Sequence, residues 1–559
     1  MTRMPAALVA LAVALGAPVA APAGVPADLD GYVGRVLGEF SVPGMAVAVV
    51  KDGGVLVAKG YGVRRQGGLL PVDENTLFGI ASNTKAFTCA ALSLLVEQGR
   101  LAWDDPVTRH LPEFRMHDPW VTREMTVRDL VTHRSGLGTG AGDLMWWPPT
   151  DFTREEIVRG IGSLVPASSF RSQYAYSNVM YVAAGEVVAR VSGLPWDDFV
   201  RERLLEPLGM ERTTTSVVAA AGDPNVASPH LLVDGAPRPV APLRFDNAAA
   251  AAGLNSSAAD LSRWVLMLLE CGAGEKPRVD LGCVLKSTSI RELWSAQTVR
   301  STSTPKPLAR LAPHLAAYGL GFAVSDLRGR TIVTHTGGLP GYVSRITLVP
   351  EERLGVIVLT NQESGAAFHA VTQHVLDSFL EPREPPVDWV EAYREAERAR
   401  EEEARGKVDK DALARLAGTR PSLELSGYVG RYEDPWYGQA RVAVEEGHLV
   451  LELTRTAGMV ADLEHWHLDT FVAHWRTVFM SDDAPYEAYV TFDLDRHARV
   501  ETMRLSPVSA AIDFSFDFQD LRFTPVRDAP PSAEPEEAAA PARRVPAAGP
   551  GAKAAQRDQ

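Results

Sequence analysis

The sequence predicts two folded units, a large mixed α/β domain followed by a smaller β domain. Three observations carry this. Strand-like and helix-like runs interleave from about Asp28 to Leu380, as expected of helices packed on a sheet. The composition then changes abruptly at Glu381-Pro382-Arg383-Glu384-Pro385-Pro386, which suits neither a helix interior nor a central strand. From Tyr428 to Val526 the pattern shortens to alternating runs divided by turn residues. At 559 residues the chain exceeds what one core ordinarily organises.

In chain order, Met1-Thr2-Arg3 carries one positive side chain, Ala6 to Leu15 is an unbroken apolar run, and Ala17 to Ala23 supplies small residues suited to cleavage. This predicts a secretory signal peptide over residues 1–23. The run is shorter than the ~20 apolar residues that span a bilayer, and Pro18 and Pro22 interrupt its extension, which argues against a membrane anchor. No cysteine near that point offers a lipid attachment site. Enrichment in Ala, Gly, Arg and Pro points to a GC-rich bacterial source, so the expected destination is the periplasm or the exterior, with no membrane association after cleavage.

The α/β domain then occupies residues 24–383. Residues 384–424 form a charged helical linker, in which Trp389 to Arg405 mixes acidic and basic side chains at helical spacing, the pattern of a solvated connecting helix. In the β domain, residues 425–527, Arg441-Val442-Ala443-Val444 and His448-Leu449-Val450-Leu451-Glu452-Leu453 flank Glu445-Glu446-Gly447 as a hairpin. Tyr489-Val490-Thr491-Phe492 and Phe514-Ser515-Phe516-Asp517-Phe518 predict further strands of a closed barrel or sandwich. Residues 528–559, rich in Pro, Ala and charge, cannot bury enough apolar surface to fold.

Composition excludes several function classes. With 46% hydrophobic and 23% charged residues the chain is globular rather than disordered, fibrous or a polytopic membrane protein. Seventy acidic against 56 basic residues give a net charge of -14, which disfavours nucleic acid as a partner. The three cysteines, Cys89, Cys271 and Cys283, are too few for a disulfide framework and wrongly spaced for zinc. In an oxidising compartment Cys271 and Cys283 are candidates to pair, whereas Cys89 sits in an apolar helical pattern and packs as a small hydrophobe. Glu464-His465-Trp466-His467 lacks a clear further ligand, so no metal and no cofactor is expected.

Chemistry concentrates in three segments. Gly79-Ile80-Ala81-Ser82-Asn83-Thr84-Lys85 opens a helix whose apolar residues Ala86, Phe87, Ala90, Ala91, Leu94 and Leu95 recur at helical spacing. One turn separates Ser82 from Lys85, so the amine can reach the hydroxyl. A buried lysine is desolvated towards its neutral form and can then act as a base. S-x-x-K alone also describes a helix start followed by a surface lysine. Tyr174-Ala175-Tyr176-Ser177-Asn178, before another apolar helix, offers a phenol and an amide two residues apart. Thr331-Ile332-Val333-Thr334-His335-Thr336-Gly337-Gly338 is a β-rich run ending in glycines, where a substrate backbone can approach closely. There is no G-x-S-x-G elbow and no H-E-x-x-H motif.

In this order and spacing the three motifs resemble those of the serine β-lactamase and penicillin-binding protein superfamily, in the class C-like branch that includes esterases and D-aminopeptidases. The resemblance covers roughly Asp28 to Leu380 and extends to Val42-Pro43-Gly44-Met45, Leu130 to Leu137, Pro207 to Met210, Ala251 to Ser257 and Val358 to Asn361. It implies an α/β (α+β) fold, an antiparallel sheet flanked by helices with an all-helical region, and no cofactor. The β domain resembles the lipocalin-like antiparallel β-barrels appended to some of these hydrolases.

By this resemblance Ser82 is the acylated nucleophile, and Lys85 and Tyr176 move its proton to the leaving group. Asn178 orients substrate and lysine. The backbone N–H groups of Ser82 and Gly338 form an oxyanion hole, and His335, Thr336 and Gly337 line the cleft. His133 and Ser135 belong to a recurring loop read as turn geometry and packing.

One departure bears on substrate: the lysine of the β-lactamase K-T-G triad is His335 here. H-T-G is frequent among the esterase and D-aminopeptidase relatives, and a neutral imidazole attracts a carboxylate less than an ammonium does. The expectation is a secreted serine hydrolase acting through an acyl-enzyme on a D-amino-acid peptide, amide or ester, selective for neutral substrates. The alternatives are a β-lactamase or D-Ala-D-Ala carboxypeptidase, and a noncatalytic protein that holds peptidoglycan fragments. The partner is a small-molecule or peptide substrate, and the sequence leaves the oligomeric state open.

Overall fold

The computed structural model describes residues 24–274, 277–279, 282–380, 386–481 and 486–527. The expected signal peptide, the Glu381–Pro385 boundary and the C-terminal tail lie outside the described residues. The first domain is built on helices α1 (Leu29–Glu39), α2 (Thr84–Glu97), α3 (Val179–Ser192), α4 (Ala258–Gly272) and α5 (Gly365–Phe379). Its sheet comprises β1 (Gly44–Lys51), β2 (Gly54–Gly62), β3 (Thr298–Val299), β4 (Ala316–Tyr318), β5 (Ala323–Leu327), β6 (Arg330–Leu339), β7 (Tyr342–Val349) and β8 (Leu354–Thr360). The spatial order is β2-β1-β8-β7-β6-β5-β4-β3, antiparallel throughout.

The unbroken apolar run of β1 follows from burial on both sheet faces. Met45, Val47 and Val49 enter a core with α1 and α5, while Ala46, Ala48 and Val50 enter a second core with α2, α3 and α4. The central strand β8 divides in the same way, Val356 and Val358 to one side, Ile357 and Leu359 to the other. Helix α2 is buried almost all round, as a helix placed between a sheet and a helical region must be. The domain is therefore the expected antiparallel sheet flanked by helices.

Helix α6 (Trp389–Ala414) departs from the solvated connector read from its charges. Its first turns carry Trp389, Val390, Tyr393 and Ala396, all buried in the core shared with α1 and α5. An apolar stripe at this spacing anchors the helix, and charge dominates only farther along. Arg394 pairs with Glu39 of α1 across the surface at 2.6 Å.

The C-terminal strands are β9 (Gly430–Asp434), β10 (Gly438–Glu445), β11 (His448–Leu453), β12 (Val460–His467), β13 (Thr470–Trp475), β14 (Ala488–Leu494), β15 (Val500–Pro507) and β16 (Arg522–Pro525). They close into an antiparallel barrel through β9–β16 pairing. The β10–β11 hairpin turns at Glu446 and Gly447, both at positive φ, the geometry a two-residue hairpin loop demands. His465 and His467 serve the chain itself, bonding the Leu468 carbonyl and the Leu416 N–H.

Phe514 to Phe518 is not a barrel strand. The segment leaves β15, turns irregularly and ends in a 3₁₀ turn at Phe518–Asp520. Its alternation misleads because polar and apolar residues are both held inward. Phe516 meets Trp147, Phe518 stacks on Trp475, and the Asp517 carboxylate accepts the Gly142 N–H at 2.6 Å. One apolar core runs from the helical region through Trp436 and Tyr437 into the barrel. Among the described residues no helix is long and apolar enough to cross a membrane.

Candidate active site

Ser82 sits in a 3₁₀ turn, Ala81–Asn83, immediately before α2. Ala81 has φ 49°, a left-handed conformation that costs an L-residue of order 1–3 kcal/mol and persists only when the surroundings enforce it. The neighbouring strands do so. Ser344 of β7 donates to the Ile80 carbonyl at 2.8 Å and accepts from the Asn83 amide at 2.8 Å. Gly337 of β6 lies against the same turn, and a Cβ there would stand 2.1 Å from the Ile80 oxygen. Only glycine allows this approach.

The Lys85 amine donates to Ser82 Oγ at 2.9 Å, to Asn178 Oδ1 at 2.7 Å and to the Ala251 carbonyl at 3.1 Å. It is fully buried, and burial pushes its pKa down to about 7 against the opposing pull of the Asp143 carboxylate. A base near neutrality touching the serine hydroxyl is thus in place. The Tyr176 ring centre is 4.8 Å from the amine. Burial raises the Tyr176 phenol well above its usual value and outweighs the opposite effect of its contact with Ser82. It stays protonated and suits proton donation.

His133 and Ser135 support this group from behind. His133 Nδ1 accepts the Ser177 N–H at 3.1 Å and its carbonyl accepts the Ala175 N–H at 2.9 Å, fixing both flanks of Tyr176. Ser135 Oγ accepts the Leu137 N–H, closing the turn.

On the sheet side, His335 bonds the Tyr318 hydroxyl at 2.9 Å and the Thr336 carbonyl at 2.6 Å. Burial, reinforced by the Lys85 charge, lowers its pKa to about 3, so the imidazole is neutral. Strand β5 stops pairing with β6 at Thr334, leaving residues 335–338 with an open edge. Ser82, Tyr176, Asn178, His335, Thr336 and Gly338 line one cleft of about 490 Å³ along this edge. Lys85 and Gly337 lie behind its wall. No heavy atom lies within 4 Å of a Cβ placed on Gly338, so that glycine keeps the cleft open.

Sequence reasoning missed several participants. Asp143, in a 3₁₀ turn Asp143–Met145, is fully buried and accepts from Asn178 Nδ2 at 2.7 Å, Trp146 Nε1 at 2.9 Å and Ser515 Oγ at 2.8 Å. Burial raises its pKa to about 7 despite those donors. Asp513, Phe514 and Ser515 bring the barrel into the cleft lining, and Phe514 meets the Tyr176 ring edge-on at 5.6 Å. Arg300 and Arg345 add positive charge to the cleft wall. No local pattern marks these residues, because long-range folding brings them together.

Residues 29–380 match the beta-lactamase family. The chain belongs to that family. As a beta-lactamase-family serine hydrolase it carries a second matched region, residues 414–525, corresponding to a domain of unknown function termed DUF3471. An unguisins hydrolase of Aspergillus campestris is 30% identical over 453 residues, covering 77% of this chain and 79% of that protein. The protein Flp of Staphylococcus aureus strain MW2 is 25% identical over 352 residues, 60% of this chain and 63% of that protein. The octameric penicillin-binding protein homologue from Pyrococcus abyssi shares the fold, with TM-score 0.57 and 24% identity over 89% of this chain and 99% of that one.

Proposed function

We propose that the protein is an exported serine hydrolase that cleaves a D-amino-acid peptide, amide or ester through an acyl-enzyme on Ser82. The observation that carries this reading is the Lys85 amine, buried, driven towards neutrality and 2.9 Å from Ser82 Oγ. The free amine takes the Ser82 proton as Oγ attacks the acyl carbon. The oxyanion forms beside the backbone N–H groups of Ser82 and Gly338. As the tetrahedral species collapses, the C–N or C–O bond breaks and the protonated Tyr176 donates to the leaving group, recovering its proton from the Lys85 ammonium. Water then attacks the ester by the same path in reverse, giving the acid and free Ser82.

Support for a D-amino-acid or ester substrate comes from the H-T-G form at His335 and from the neutrality of that histidine. The similarity to a protein named as an unguisins hydrolase supports turnover rather than binding alone. Export draws support from the Cys271–Cys283 disulfide, a bond that persists in oxidising compartments. A hydrolysis panel on the mature protein tests the reading, comparing short-chain esters, D- and L-aminoacyl amides and a chromogenic cephalosporin. Turnover of D-configured amides or esters above the others is expected. Hydrolysis restricted to L-aminoacyl amides, or none at all, would overturn the substrate class.

A further inference from the structure

Large apolar side chains that face solvent are scattered over the surface of this protein, as on any globular chain. Phe514 differs in where it stands. It is 42% exposed, and among the described residues it alone of the exposed large apolar side chains lines the catalytic cleft. The residues that follow it, Ser515, Phe516, Asp517 and Phe518, are all buried. The segment that leaves the barrel thus turns one phenyl ring outward, and it does so into the site.

The ring is held in place. Ser515 Oγ donates to Asp143 at 2.8 Å, and Asp517 accepts the Gly142 N–H at 2.6 Å. Phe514 itself rests on Gly140, where a Cβ would stand 2.2 Å from the Phe514 oxygen and 2.9 Å from its Cδ2, so that only glycine gives it a seat. The Gly140 N–H in turn donates to the Tyr176 carbonyl at 2.9 Å, and the two rings meet edge-on. An aromatic side chain fixed in advance loses little freedom when a ligand covers it, and the covering removes apolar surface from water. The direction of approach follows from Asp143. Trp146 Nε1, Asn178 Nδ2 and Ser515 Oγ converge on its carboxylate, which puts Trp146 and the Phe514 segment on the Asn178 side of the nucleophile. Tyr318 and His335, bonded to each other, lie on the sheet side.

We propose that Phe514, together with Trp146 and Trp147 of the cleft lining, receives an aromatic side chain carried by the acyl residue of the substrate. The leaving group takes its proton from Tyr176 and departs along the sheet, while the acyl residue extends past Asn178 and lays its ring against the phenyl group, in the offset or edge-on arrangement that aromatic pairs favour. The cleft then selects acyl donors with an aromatic side chain over those with a methyl group. This rests on acyl transfer at Ser82 to D-configured substrates as the activity of the cleft, and it adds the class of side chain.

The test uses the full chain and the methyl esters of N-acetyl-D-phenylalanine and N-acetyl-D-alanine, which share a leaving group. The wild type should favour the phenylalanine ester in kcat/KM by about tenfold or more. In Phe514→Ala that preference should fall to within about threefold, and Phe514→Leu should keep an intermediate part. The benzyl and ethyl esters of N-acetyl-D-alanine move the ring to the leaving group, and their ratio should be the same in wild type and Phe514→Ala. Equal turnover of the two methyl esters by wild type, a preference that survives in Phe514→Ala, or a loss confined to the benzyl ester each overturns the assignment. A ring that merely held the segment in place would, when removed, slow both methyl esters by one factor and leave their ratio intact. If Phe514→Ala shows no cooperative thermal transition, Phe514→Leu decides, and a preference as large as in wild type sinks the proposal. Titration calorimetry on Ser82→Ala protein needs no turnover: tighter binding of the phenylalanine than the alanine ester supports the contact, and equal binding overturns it. Absence of a fluorophosphonate adduct on Ser82 counts against the acyl-transfer reading alone.

Discussion

The Ser515 hydroxyl, carried by the segment that leaves the barrel, donates to the Asp143 carboxylate at 2.8 Å. Asp143 holds Asn178 Nδ2, and Asn178 Oδ1 holds the Lys85 amine. Residues 372 positions apart in sequence thus act on the charge of one lysine. The orientation of the Asn178 amide follows from this chain, because a carboxylate accepts and an ammonium donates.

The Asp143 charge raises the Lys85 pKa, opposing burial. Activity that needs the free amine rises with pH through the region near 7. Asp143→Asn removes the charge that favours the ammonium, so the acidic limb of kcat/KM should move to lower pH. Ser515→Ala removes a donor that favours ionised Asp143, and should move the limb in the same direction by less. Profiles of wild type and both variants check this. A limb displaced upward would refute the coupling.

Ser82→Ala should lower turnover on the order of 10³-fold or more, the scale seen when a covalent route is removed. Intact mass and peptide mapping after a fluorophosphonate probe should place the adduct on Ser82 and find none in the variant. An adduct on any other serine would contradict the assignment.

Lys85→Ala and Tyr176→Phe should each be severe, and the double variant little worse than the more damaging single one, because groups that pass one proton between them do not contribute additively. Four kcat/KM values on one substrate measure this. Multiplying losses would mean the two residues act separately.

The adjacent glycines should respond oppositely to one methyl group. Gly337→Ala forces a Cβ to within 2.1 Å of the Ile80 oxygen, so the strand or the nucleophile turn must move, at a cost of about 1–3 kcal/mol and most of the activity. Gly338→Ala meets no atom within 4 Å and should leave thermal stability unchanged while reducing substrate access. Denaturant unfolding and kcat/KM on the two variants compare them directly.

Cys271 and Cys283 are joined across a separation of 12 residues. For a loop of this size loss of the cross-link costs about 3 kcal/mol in the chain-entropy account. Cys283→Ser should therefore lower the unfolding free energy by roughly that amount, and wild type under reducing conditions should match the variant. Equal stability of the oxidised protein and the variant would show the bond to be dispensable.

What the sequence made legible is what is local. Ser82 and Lys85 are one helical turn apart, Tyr176 and Asn178 are two residues apart, and His335 to Gly338 are contiguous, so each motif is written locally, and the family resemblance of the three in order assigned their roles. The disulfide was legible as a candidate because an exported chain meets an oxidising compartment and Cys89 reads as part of an apolar helix, which leaves Cys271 and Cys283. Asp143 and Ser515 were not legible, since Asp143 meets Asn178 at the start of α3 and Ser515 of the segment that leaves the barrel, both far away in the chain. Phe514 to Phe518 was misread because period-two alternation signals one buried face, whereas here Asp517 is buried beside Phe516 and Phe518. The buried start of α6 was obscured by the charge that surrounds Trp389, Tyr393 and Ala396.

The open half of β6 has a cost outside catalysis. A strand that runs on past the end of its neighbour offers an edge on which an extended chain can add, including another copy of the same protein. The barrel answers this problem for its own strands by closing. The main sheet keeps its exposed register at residues 335–338, and the same cleft wall carries Phe514 from the barrel. The rail along which a substrate would lie is thus also the place in the main sheet most open to self-association.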